Sequence, residues 1–151
     1  MVKQSLPHPP FVSALAVGAT ENDQVELERI FRECGWTLGW ARTRSEARDF
    51  MKTTPVRVVI SERELPEGGW LEMLDELMQH SEPPALLVTS RLADDSFWAE
   101  VLNRGAYDVL AQPLDREEVA RVVGAAARHV DNERQRRRPQ AAKPMILAAA
   151  S

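Results

Sequence analysis

Apolar positions along this chain fall into two patterns that take turns: short runs of Val, Ile, Leu and Ala, and longer stretches with apolar residues three or four apart. The first pattern predicts strands and the second amphipathic helices. Phe11 to Val17 is a run ended by Gly18, as in a strand buried on both faces. Val25, Leu27, Ile30 and Phe31 then recur at helical spacing, with Asn22 as the capping residue and Cys34-Gly35 as the close. Trp36 to Ala41 reads as a second, more exposed strand. Thr43 and Glu46 form a capping box ahead of a helix to Lys52. Val56, Val58, Val59 and Ile60 make a β-branched third strand, which stops at a loop, Glu62 to Gly69, holding Pro66 and a Gly-Gly pair. Trp70, Leu71, Leu74, Leu77 and Met78 predict the third helix, and Ala85 to Val88 the fourth strand. Trp98, Val101 and Leu102 mark a helix ending at Gly105, and Tyr107 to Leu110 a fifth strand. Asp115 and Glu118 cap a last helix, whose buried stripe is Val119, Val122, Val123 and Ala126.

Strict alternation of strand and helix with short connections implies a parallel sheet covered on both faces. Right-handed crossovers narrow the topology to an α/β, flavodoxin-like doubly wound five-stranded parallel sheet in the order 2-1-3-4-5. Residues 1–10, MVKQSLPHPP, read as a flexible leader, residues 11–130 as the domain, and residues 131–151 as a basic tail for which disorder is expected after about Arg134, beyond any helical extension of the last helix. Apolar periodicity fades after Arg134, so truncation there is expected to leave stability nearly unchanged.

Composition agrees with one domain. The chain has 151 residues, 44% apolar and 28% charged, enough for a single core. The net charge of −4 is uneven: after residue 127, six cations outweigh Asp131 and Glu133, leaving +4 on the tail and −8 on the body. An acidic body argues against a broad nucleic-acid surface, and the run Arg136–Arg138 is a small basic handle. The lone Cys34 excludes an intrachain disulfide and fits a reducing, cytoplasmic setting. Phe11–Ala19 could pass for a signal-peptide core, but the flanking prolines suit a buried first strand better. Met145–Ala150 is too short to span a membrane. His8, His80 and His129 have no ligand spacing, and Ser61 and Ser90 lie in no nucleophile motif, so no metal catalysis and no enzymatic role are expected.

In this architecture chemistry gathers at the carboxyl ends of strands. There the third strand runs into VVISERELPEGGW, the fourth ends in LLVTS, and the fifth reads RGAYDVLAQPLDREEV. These segments, in this order over residues 11–127, resemble the receiver domain of two-component response regulators. The resemblance implies that Glu62 stands at the phosphoacceptor aspartate, Thr89 at the hydroxyl residue, and Gln112 at the lysine before a cis-proline. It also puts Gly18 and Ala19 where the family has an acidic pair that holds Mg²⁺, and Val109 at the switch aromatic. Departures at all these positions but Thr89 imply a receiver with its phosphotransfer chemistry largely dismantled, no resident cofactor, and weak or absent Mg²⁺ binding. Glu21 and Asp23 are expected to face solvent in the first helical turn, where acids favour the dipole, so that Glu62 is the pocket's single carboxylate, the alternative being that they serve as substitute metal ligands. Glu62 itself can be read as a fixed charge that imitates a phosphorylated state or as a solvated loop carboxylate. Tyr107, two residues before Val109, would share its face of the strand.

The expected function is a stand-alone, atypical receiver in phosphorelay-type signalling that acts through other signalling proteins. The face between the fourth and fifth helices would dock a partner or a second copy, with Trp98 at its centre and Arg91, Asp94, Asp95 and Arg116 as its charged rim. Two alternatives stand beside it: a working phosphoacceptor that uses Glu62 or a neighbour, and a DNA-associated regulator acting through the Arg-rich tail.

Overall fold

The computed structural model describes residues 12–92 and 94–137. The leader assigned to residues 1–10 and the tail beyond Arg137 lie outside the described residues. Strand β1 (Ser13–Val17) leads through α1 (Glu21–Cys34) to β2 (Thr37–Ala41), α2 (Arg44–Thr53) and β3 (Val58–Glu62). A two-residue ribbon, β4 (Glu64–Leu65) and β5 (Gly68–Gly69), precedes α3 (Trp70–Leu77). Then come β6 (Ala85–Ser90), α4 (Asp95–Arg104), β7 (Asp108–Ala111) and α5 (Arg116–Arg137). The five long strands are parallel, in the order β2-β1-β3-β6-β7. With the ribbon counted apart, this is the expected 2-1-3-4-5 order of the flavodoxin-like fold.

Alternation along each strand divides the core in two. Ala14, Ala16, Val58, Ile60 and Leu110 pack under α1 and α5, where they meet Leu27, Ile30, Phe31, Val119, Val123 and Val130. Leu15, Val17, Val59, Val88 and Val109 face α2, α3 and α4, where they meet Ala47, Met73, Leu77, Phe97 and Val101. Burial on both faces explains why the central strands read as unbroken apolar runs. Among the described residues, no helix is long and apolar enough to cross a membrane.

Three local expectations need correction. Thr20, not Asn22, caps α1: its hydroxyl accepts from the Asp23 amide at 3.3 Å. Val25, Met78 and Leu102, counted on helical stripes, are exposed, at 64%, 58% and 47%. The last helix also runs seven residues past the boundary drawn at 130, and those residues grip the body. Arg57 Nε donates to Asp131 at 2.6 Å, Arg134 Nη2 to the carbonyls of Val56 and Glu82 at 3.1 and 3.0 Å, and Arg137 Nη1 to the carbonyl of Ser81 at 3.0 Å. Backbone carbonyls without ladder partners accept these bonds, which is why polar residues continue a helix whose apolar stripe has ended.

Candidate functional site

The carboxyl ends of β1, β3, β6 and β7 bring together four side chains from distant parts of the sequence. Glu62 is the last residue of β3 and lies opposite Thr89 of β6 in the parallel register. The Thr89 hydroxyl donates to Glu62 Oε2 at 3.0 Å. Gln112 comes directly after β7, its peptide bond to Pro113 is cis, and its Nε2 donates to the same Glu62 oxygen at 2.9 Å. The same Nε2 also donates to Asp23 Oδ2 of α1. One neutral amide thus ties α1 to β3.

Asp23 overturns the expectation that it faces solvent, since it is only 8% exposed and points into the pocket. Glu62 is therefore not the pocket's single carboxylate. A signal was present in the sequence: Asp23, Leu27, Ile30 and Phe31 sit at i, i+4, i+7 and i+8, the buried stripe of α1. Glu21, two residues earlier, is exposed as expected. Glu62 is half-buried at a strand end, where Thr89 and Gln112 donate hydrogen bonds to it. Burial, and next the charge of Asp23, push the Glu62 carboxyl above its ordinary range, while the donors Thr89 and Gln112 pull the other way.

Gly18 has φ +76, its amide donates to the Ala41 carbonyl at 2.9 Å, and a Cβ there would lie 2.5 Å from Leu65 Cδ2. An acid at Gly18 would sit in strained left-handed backbone and would have to displace the Leu65 side chain. Ala19 is partly buried against the α1–α5 core. Neither supplies a carboxylate, and both carboxylates nearby already accept from Gln112. Among the described residues no three His, Cys, Asp or Glu side chains converge as a metal cage would need.

Val109 is fully buried in the α2–α4 half of the core. Tyr107 does not share its face. It precedes β7, where strand alternation does not reach, and its ring packs against His129 of α5 with centroids 5.4 Å apart. On the face between α4 and α5, the Trp98 indole donates to Asp108 Oδ1 at 2.8 Å, and Arg91, Asp94 and Asp95 are exposed. Asp94 caps α4, accepting from the Phe97 amide at 2.8 Å. Arg116 turns instead to α1, where it pairs with Glu33 at 2.5 Å, so it does not rim that face. Sequence reasoning also missed Arg63, whose guanidinium lies over the Phe97 ring of α4 at 4.0 Å and holds the segment after Glu62 against that helix.

Comparison with known proteins agrees with this geometry. Residues 21–124 match the profile of the response regulator receiver domain. Over 89 residues, 58% of this chain, the sequence is 28% identical to the response regulator protein PilR of Pseudomonas aeruginosa, and the match spans 20% of that protein's length. The signal receiver domain of an HD domain-containing protein from Pseudomonas fluorescens Pf-5 superposes with a TM-score of 0.75 at 23% identity, covering 87% of this chain and 97% of that one. A Saccharomyces cerevisiae receiver domain, that of Ssk1, solved with the histidine phosphotransfer protein Ypd1, gives 0.68 at 15% identity, covering 80% and 92%. At these identities the two structures speak for the fold.

Proposed function

This chain belongs to the family of response regulator receiver domains, and from that premise we propose that it is an atypical receiver, a protein-interaction module whose acceptor pocket is closed by its own hydrogen bonds. The bridge from Gln112 to Glu62 and Asp23 carries this reading. The nucleophile that a phosphoryl donor would approach already accepts from Thr89 and Gln112. Its extra methylene, relative to aspartate, displaces the attacking oxygen by about a bond length, enough to spoil in-line positioning.

Phosphoryl transfer also depends on cations around the transferring oxygens. Gln112 brings none, and Gly18 and Ala19 bring no carboxylate to hold Mg²⁺, an ion that demands near-octahedral oxygen geometry. Mg²⁺ binding is accordingly weak or absent in this reading. With valine at position 109, filling the core completely, there is no aromatic to move between two positions.

The partner is another signalling protein, and a histidine phosphotransfer protein, the class seen beside the yeast Ssk1 receiver, is one such partner. The docking surface is the α4–β7–α5 face, where Leu92 and Leu102 are exposed beside Trp98, Arg91 and Asp95. DNA binding through α5 is disfavoured, because Arg134, Arg136 and Arg137 are engaged by the protein itself.

Incubation with acetyl phosphate and Mg²⁺, read by intact mass, tests the reading. No added phosphoryl group is expected on the wild type or on Glu62→Asp, because shortening the side chain repairs reach and not charge. Missing preorganised charges each cost about 10²-fold or more in rate. Recovery is expected only in the triple variant Ala19→Asp, Glu62→Asp, Gln112→Lys. The competing reading, a working acceptor, is favoured by one observation, the convergence of Asp23 on Glu62. Mg²⁺-dependent labelling of the wild type would establish it, whereas labelling of Glu62→Asp alone would show that reach, and not charge, disables the pocket.

A further inference from the structure

Among the described residues, two carboxylates and no cationic side chain meet in the pocket. Asp23 is more than nine-tenths buried, Glu62 is half-buried, and both accept from one amide nitrogen. Among the described residues, none of the ion pairs involves either side chain. The elements packed around the pair contribute Thr89 from β6, Gln112 after β7, Gly18 and Ala19 after β1, and exposed Glu21 on α1. Arg63, the nearest cation in sequence, is directed over Phe97. Like charges held together away from water ionise singly far more easily than doubly.

We propose that Glu62, held against the buried Asp23 side chain through one shared amide, binds a proton and that this makes the acceptor pocket a proton sensor, in which a proton on Glu62 takes the place of the phosphoryl group as input. The inference rests on the reading of the pocket as closed to phosphotransfer. With the proton in place, the Glu62 carboxyl is neutral, its O–H can donate to Asp23, and α1 is drawn to β3. Without it, two anions depend on the two hydrogens of one amide, and α1 is pushed from β3.

Glu62 holds its proton in the folded protein to a higher pH than in the unfolded chain, where the ordinary value is 4.5. Its contribution to stability is therefore fully present below that ordinary value and is lost as pH rises through the raised one. Glu33 and Glu76, whose carboxyls are held low by arginines, act in the opposite sense, each losing its stabilisation as pH falls.

A ¹³C-carboxyl NMR titration of the full chain tests this. Glu62 is expected to titrate above the ordinary glutamate range, and Asp23→Asn is expected to move its midpoint down by removing the neighbouring charge. Should Asp23→Asn fail to fold, Gln112→Lys gives the same downward shift by supplying a cation. Glu62→Gln, which copies the protonated carboxyl, should melt above the wild type at about pH 7, with the difference closing on acidification. An ordinary midpoint for Glu62 in the wild type, or one that neither variant moves, overturns the proposal and leaves the phosphotransfer reading intact. Labelling by acetyl phosphate would break that reading without touching the titration.

Discussion

Gln112 has two amide hydrogens, and two carboxylates receive them. Replacing it by leucine removes both donors at once and leaves Asp23, buried as it is, without a side-chain donor. Hydrogen bonds to charged groups contribute about 1.5–3 kcal/mol each, and a buried unsatisfied acceptor adds its desolvation cost. Gln112→Leu is therefore expected to lower unfolding free energy by about 2 kcal/mol or more in urea denaturation, whereas Gln112→Lys should raise it by pairing both acids. Equal stability of the leucine variant and the wild type would mean that the bridge contributes nothing. The strand-end residues Glu62, Thr89 and Gln112 were legible in sequence because the fold places such positions together. Asp23 was not, because an acid in the first turn of a helix has an adequate explanation in the helix dipole. The deciding observation, its membership in the stripe with Leu27, Ile30 and Phe31, depends on giving geometry precedence over residue type. Gly18 shows the same limit, since its positive φ is invisible in a string that merely lacks an acid.

At the scale of elements, α5 departs most from expectation. The apolar stripe ends at Val130, and the residues after it read as a basic tail, but Asp131, Arg134 and Arg137 lie at helical spacing and bind Arg57 and the carbonyls of Val56, Glu82 and Ser81. Polar residues that bind backbone carbonyls carry no periodicity signal in hydropathy, so the sequence allows an extension of this helix without fixing where it ends. Burial pushes the Arg134 guanidinium below its usual range, yet it remains charged. Arg134→Ala is expected to cost about 1 kcal/mol, a fall of about 4 °C in melting midpoint for a domain of this size. Truncation after Val130, which also removes the Arg57 pair, should cost more. Calorimetry of the two proteins against the full chain decides, and unchanged midpoints would restore the tail boundary at 130. By contrast the five strands and five helices were legible almost throughout, since each buried stripe or run is bounded by capping residues or glycine. The β4–β5 ribbon escaped because two residues per arm leave no alternation to detect.

For the whole molecule, the proposed docking on the α4–β7–α5 face makes Trp98 the residue to test. Trp98 is fixed by its bond to Asp108 at the start of β7, so its ring is a rigid feature of this face. Small-angle scattering over a concentration series is expected to show self-association, or a pull-down to show a bound signalling partner, that Trp98→Ala weakens at least tenfold, the loss of about 1.4 kcal/mol. A monomer whose partner binding survives the substitution would assign docking to another face. Raising salt should matter little if Leu92 and Leu102 supply the contact, and much if Arg91 and Asp95 do.

The grip of α5 on the body also fixes where movement can occur. Twenty-two residues make a rod about 33 Å long. Its far end is pinned to the loops that lead into β3 and β6, on the edge of the sheet away from Glu62, while its near end begins four residues after Gln112. Such a rod has its fulcrum at the pinned end. A tilt started by the pocket would act first on the start of α5, where it would carry the Arg116–Glu33 pair with it, and would fade toward Arg137. News from Glu62 would therefore leave the domain sideways, beside the start of α5, rather than along the length of the helix.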